Sequence, residues 1–115
     1  MRGVNGRVYV VLHIYPVILE VVAGLRPVIE AIEVHDRDLG RQARRALTSV
    51  PLNVMEGGGS TKGTPRARYE SAYGSAREVV AVVDVAVALA YVPALEGDVA
   101  RKLRHVVGTL RKLAA

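Results

Sequence analysis

The chain predicts an all-α fold, an antiparallel up-down-up-down four-helix bundle made of one domain over residues 1–115. Three observations predict it. Apolar residues recur at helical i, i+3, i+4 spacing in four successive stretches. The links between those stretches are short, apart from a glycine-rich segment at 57–64. The one strand-like run, Val8 to Leu12, has no second strand to pair with.

Taken in order, residues 1–12 read as a flexible lead-in, with Gly3, Asn5 and Gly6 early and at most an early helical turn at Val8 to Leu12. Helix 1 is expected from Tyr15 to Ile32, with a core stripe of Val17, Val21, Leu25, Val28 and Ile32. Pro16 suits a first-turn position, where a missing N–H costs nothing. Pro27 removes an internal hydrogen bond, so a kink is expected near Gly24 to Pro27. After a short link over Glu33 to Arg37, Asp36 is the N-cap expected for helix 2. That helix runs to about Met55 on the stripe Leu39, Ala43, Ala46, Leu47, Val50 and Val54.

Thr64 and Pro65 form a cap and first-turn pair, which starts helix 3. It is expected to reach about Tyr91. Its core side holds Tyr69, Ala72/Tyr73, Ala76, Val79/Val80, Val83, Val87 and Ala90. Its opposite face is also apolar, through Val82, Val85, Ala86 and Leu89. A helix apolar all round needs cover on every side. Val82, Val85 and Leu89 are therefore the expected contacts of a homo-oligomer. Helix 4 begins near Pro93 or Glu96 and ends near Leu113, on the stripe Val99, Leu103, Val106, Val107 and Leu110.

Half of the residues are apolar, so a core is within reach, yet there are five Tyr and no Phe or Trp. Val, Leu, Ile and Ala must fill it. The absence of Cys excludes disulfides and thiol chemistry and fits a reducing cytoplasm. No apolar run has the length and flanks of a membrane span or a cleaved leader, so a cytoplasmic protein that meets no membrane is expected. The net charge is +5, and thirteen of the sixteen cations are Arg. Arginine suits an anionic partner through bidentate bonds, although such a composition also arises without one.

The stretch Gln42 to Gly57, QARRALTSVPLNVMEG, sorts its residues onto three faces. The core stripe is one. Arg41, Arg44 and Arg45 make the second, within about 100° of arc at helical pitch. Gln42, Ser49 and Asn53 make a short polar flank, able to bond across an interface or to nucleic acid. Asn53 and Glu56 are expected to bond the loop backbone and set where helix 2 stops.

This pattern, Q-x-R-R-A-x-x-S-V-P-x-N-x-x-E-G, resembles the signature of the bacterial four-helix bundle proteins encoded by intervening sequences in 23S ribosomal RNA genes. The accessory variability proteins of diversity-generating retroelements are more distant relatives. Two further blocks match, Ala72-Tyr73-Gly74-Ser75 with Glu78, and the glycine loop leading to Arg66 and Tyr69. The resemblance spans roughly residues 13–113 and is most specific over Gln42 to Gly57. It marks Gln42, Ser49, Asn53, Glu56, Gly57, Gly74 and Ser75 as motif positions. It implies that helix 2 continues with a bend through Pro51. It also implies a five-fold homo-oligomer with a basic surface, bound to RNA or DNA or to a protein partner such as a reverse transcriptase.

The residues themselves offer little enzymatic chemistry. GGGSTKGT fails the phosphate-loop spacing, because Lys62 precedes Gly63, and it joins two helices. His35 near Asp36 and Asp38 would supply ligands from one short loop only, which rarely closes around a metal. No paired carboxylates, nucleophile triad or cofactor fingerprint is present, so no cofactor and no enzyme is expected. Two readings of the basic residues stand. Arg41, Arg44, Arg45, Lys62, Arg66 and Arg68 contact nucleic-acid phosphates, or they are solvated cations paired with nearby Glu and Asp.

Overall fold

The computed structural model describes residues 6–59 and 65–115, and all of its regular structure is helical. α1 spans Gly6–His35, α2 Arg37–Gly59, α3 Pro65–Ala88 and α4 Gly97–Ala114. Among the described residues there is no strand. Each helix packs on its neighbours in chain order, α1 on α2, α2 on α3, α3 on α4, and α4 back on α1. The result is a helical bundle 49 Å long around one core.

α1 is far longer than the sequence spacing suggested. The segment from Gly6 to Leu12 is helical, not a lead-in, because Val11 and Ile14 reach the core. Pro16 therefore lies inside the helix and not in its first turn. The buried stripe is Val11, Ile14, Ile18, Val21, Leu25, Ile29 and Ile32. Val17 and Val28 sit one residue out of phase, at its half-buried edge. α1 is long and apolar enough to cross a membrane by length and composition alone. It is also the helix that places seven side chains in the core.

One residue, Asp36, separates α1 from α2. Its Oδ1 accepts the Leu39 N–H at 3.0 Å and caps the new helix, as its position implied. α2 then runs through Pro51, which is buried, and through all three glycines to Gly59. The glycines are helical because two of them are packing surfaces. A Cβ on Gly57 would lie 2.7 Å from the Tyr69 ring, and one on Gly58 would lie 2.9 Å from Val11. Tyr69 is the largest fully buried side chain of the core.

α3 ends at Ala88, three residues short of expectation. Its terminus is a Schellman cap: the Tyr91 N–H bonds to the Ala86 carbonyl at 2.8 Å, and the Ala90 N–H to the Val87 carbonyl at 3.0 Å. Ala90 holds the left-handed conformation there, with φ 61°. Tyr91 then stacks on His35 with ring centroids 4.9 Å apart. Val82 is 3% exposed and belongs to the core, together with Ala86, so it does not face a partner. Val85 and Leu89 are exposed. The larger share of exposed apolar side chains lies elsewhere, on Tyr9, Leu12, Leu19 and Val34 of α1 and Leu52 and Met55 of α2.

Two stability predictions follow from this packing. Tyr69→Ala should destabilise the fold by roughly 3–5 kcal/mol in urea titration, the usual cost of emptying an aromatic core site. Ala90→Gly should raise stability by about 1 kcal/mol, since glycine carries no penalty for the left-handed conformation.

Candidate nucleic-acid interface

The arginine face of α2 is exposed, as its helical phase required. Arg41 and Arg45 make no ion pair with any described residue. Arg44 does: its Nη2 donates to Glu33 Oε1 at 2.7 Å, across the tight turn between α1 and α2. The Glu33 hydrogen bond, followed by its charge, pushes the Arg44 pKa up. Arg44 is therefore a clasp between helices, and its charge is already answered.

Arg66 and Arg68 occupy the first turn of α3 and are likewise paired. Arg66 bridges to Glu70 at 3.1 Å and donates to the Ala114 carbonyl at 3.2 Å. Arg68 bridges to the motif residue Glu56 at 3.2 Å. Glu56 lies twelve residues after Arg44 on α2, about 18 Å along the axis. The two arginine groups thus sit toward opposite ends of the helix and do not form one patch. Lys62 lies outside the described residues.

The polar flank of α2 proves to be a seam between helices. Ser75 Oγ on α3 donates to Ser49 Oγ at 2.8 Å. The Asn53 amide donates to that same oxygen at 2.9 Å and to the Ser49 carbonyl at 3.0 Å. Asn53 thus braces Ser49 within α2, and the bond between Ser49 and Ser75 joins α2 to α3; the loop residues that Asn53 and Glu56 are expected to bond lie in part outside the described residues. Gln42 is exposed, Gly57 is buried under Tyr69, and Gly74 is exposed with open space beyond its Cα.

α4 brings its own ion cluster. Lys102 reaches Asp98 at 2.7 Å and also pairs with Glu20 of α1, while Arg101 pairs with Asp98. The Lys102 hydrogen bond, aided by the charges of Lys102 and Arg101, holds the Asp98 carboxyl below its ordinary pKa. The hydrogen bonds that Lys102 donates to Asp98 and Glu20 in turn hold it above its ordinary value.

One basic feature was not visible in the linear sequence. Arg7 and His13 of α1 meet His105 and Lys112 of α4 along a cleft of about 500 Å³. No Asp or Glu side chain lines it. The two halves lie about ninety positions apart in the chain, so only the pairing of α1 with α4 unites them. His13 stacks on Tyr9 with centroids 4.1 Å apart and bonds through Nδ1 to the Tyr9 carbonyl. Among the described residues no group of three or more His, Asp or Glu could hold a metal ion. No polar or charged side chain is buried there either.

No family model, curated protein or solved structure matches the chain.

The α4 cluster sets a pH dependence. A carboxyl with a depressed folded-state pKa adds stability at neutral pH that is lost as pH falls through and below the ordinary carboxylate value. Asp98→Asn should therefore remove part of the loss of melting temperature seen between about pH 5 and about pH 2. An unchanged acid limb would show that the cluster adds nothing to the folded state.

Proposed function

We propose that this chain is a non-enzymatic, self-associating bundle that binds the backbone of RNA or DNA through arginine-bearing surfaces. Its helices are read as an up-down-up-down antiparallel array. Gly58 against Val11, Gly57 against Tyr69, Arg66 against Ala114 and Gly24 against Val99 each bring late residues of one helix to early residues of the next, or near them. We place the chain with the ribosomal-intervening-sequence bundle proteins that its helix 2 motif resembles, and take from that resemblance a five-fold assembly in the cytoplasm.

The observation that carries the binding proposal is the division of the cations into two classes. Arg26, Arg44, Arg66, Arg68, Arg101 and Lys102 are balanced by carboxylates. Arg7, Arg37, Arg41, Arg45, Arg77, Arg104, Arg111 and Lys112 make no ion pair with any described residue. Arg41 and Arg45 lie one turn apart on the exposed side of α2. Unbalanced arginines on an exposed helix suit phosphate contacts that track a backbone without reading bases. The scarcity of aromatics limits base stacking, so sequence preference should be weak. Every described carboxylate and imidazole is at least partly exposed to solvent.

A second reading is a protein-binding adaptor, for example for a reverse transcriptase. The exposed Leu12, Leu52 and Val85 favour it.

Binding of a labelled RNA hairpin and of a duplex DNA across a salt series tests the proposal. Affinity should fall steeply with salt, and Arg41→Gln with Arg45→Gln should flatten the slope by about one for each phosphate contact removed. A flattened slope for Arg7→Gln with Lys112→Gln alone would move the site to the cleft between α1 and α4. No binding at low salt would reject nucleic acid and leave the adaptor reading.

A further inference from the structure

The cleft between α1 and α4 combines a cationic lining, an exposed aromatic ring and a free hydroxyl. Its charged side chains are all basic, Arg7 and His13 from α1 and His105 and Lys112 from α4. None of them pairs with a carboxylate among the described residues. The groove between α3 and α4, of similar size, sets Asp84 beside Arg104 and Arg111. Ala115 also lines the basic cleft, and a carboxylate there leaves two permanent cations against one anion. The Arg7 guanidinium lies over the Tyr69 ring, 5.9 Å from its centroid. A cation held on a core ring is positioned without a carboxylate, and its fork stays available for a phosphate.

The aromatic ring is Tyr9. Of the five tyrosines it alone is exposed, at 58%, while Tyr69 fills the core and the other three are half-buried. Tyr9 lines the cleft and stacks on His13. An exposed tyrosine leaves much apolar surface in water, which a planar partner covers well. The Nδ1 of His13 donates to the Tyr9 carbonyl at 2.8 Å, so Nε2 is the ring atom left to meet a ligand.

The hydroxyl is that of Thr109. His105, Thr109 and Lys112 follow the i, i+4, i+7 spacing of one face of α4. The Thr109 hydroxyl bonds to no described residue. The other described Ser and Thr hydroxyls are engaged, Thr48 and Ser71 with carbonyls of their own helices and Ser49 and Ser75 with each other.

These three features together select a class of ligand. Inorganic phosphate would leave Tyr9 unused, and an uncharged aromatic would leave the cations unanswered. A planar ring that carries a phosphate uses both. The cleft of about 500 Å³ falls within the range of about 300–1,000 Å³ usual for small-molecule sites. His105 to Lys112 covers roughly 10 Å of helix, room for no more than about three stacked nucleotides.

We infer that this cleft binds a nucleoside phosphate, with the base on Tyr9 and the phosphate held by Arg7, Lys112 and the Thr109 hydroxyl. A free mononucleotide and the terminal nucleotide of a strand offer the same base and phosphomonoester. The inference stands apart from the backbone contact proposed for α2, since it needs neither Arg41 nor Arg45.

Titration calorimetry of the full chain with adenosine 5′-monophosphate, adenosine and inorganic phosphate tests it. The nucleotide should bind at least about tenfold more tightly than either part alone, because only it engages both the ring and the cations. Tyr9→Ala and Lys112→Gln alter exposed positions, and circular dichroism should show both variants fully helical. Each should weaken the nucleotide about tenfold, and Tyr9→Phe, which keeps the ring, should bind as the parent does. Lys112→Gln should also weaken inorganic phosphate, whereas Tyr9→Ala should not. A 5′-phosphorylated adenosine trinucleotide that binds as tightly as the mononucleotide places a strand end in the cleft, and one that binds more weakly leaves the free nucleotide as the ligand. The inference is overturned if the mononucleotide binds no more tightly than inorganic phosphate, or if either Tyr9→Ala or Lys112→Gln leaves its affinity unchanged.

Discussion

Close approach of helix backbones is the constraint on which the rest of the molecule depends. The core holds no Phe or Trp and is filled by Val, Ile, Leu and Ala around one deeply buried Tyr. Side chains that small exclude water only where the helices touch. Glycine allows the contact at Gly24 under Val99, at Gly40 beside Glu33, and at Gly57 and Gly58 under Tyr69 and Val11. The hydroxyl bond between Ser49 and Ser75 exists because α2 and α3 approach this closely. With that seam in place, the phase of α2 turns Arg41 and Arg45 outward.

Amphipathic elements were legible in the sequence and uniformly apolar ones were not. In α2 the polar residues leave only one core stripe, and five of its six expected members are buried. The N-cap at Asp36 was equally plain, since the chemistry is local. α1 is apolar on most sides, so spacing alone could not choose between Val17 and Ile18, or between Val28 and Ile29. The same ambiguity put Val82 on the outer face of α3, when it packs inward. Gly57 to Gly59 read as a loop because their conformational cost is local, while the contacts with Tyr69 and Val11 that outweigh it are distant in sequence.

The candidate site was legible as a set of cations, not as a surface. Arg41, Arg44 and Arg45 share a helix face, yet the turn at Asp36 commits Arg44 to Glu33. Arg66 and Arg68 stand at the far end of α2, where Glu70 and Glu56 answer them. The cleft of Arg7, His13, His105 and Lys112 needs the packing of the first helix on the last. Self-association, as proposed above, would repeat that cleft in every copy. Repetition of weak phosphate contacts is how a small basic domain gains avidity for a long polyanion.

An apolar contact between copies and an electrostatic contact with nucleic acid respond differently to salt. Sedimentation velocity of the unmodified chain, alone and with a labelled RNA hairpin, at low and high salt is the most direct measurement. The chain alone should sediment as a multiple of 12.4 kDa at both salt concentrations, and the RNA should leave it only at the higher one. A 12.4 kDa monomer at low salt, or an assembly that dissolves with salt while RNA stays bound, would contradict it.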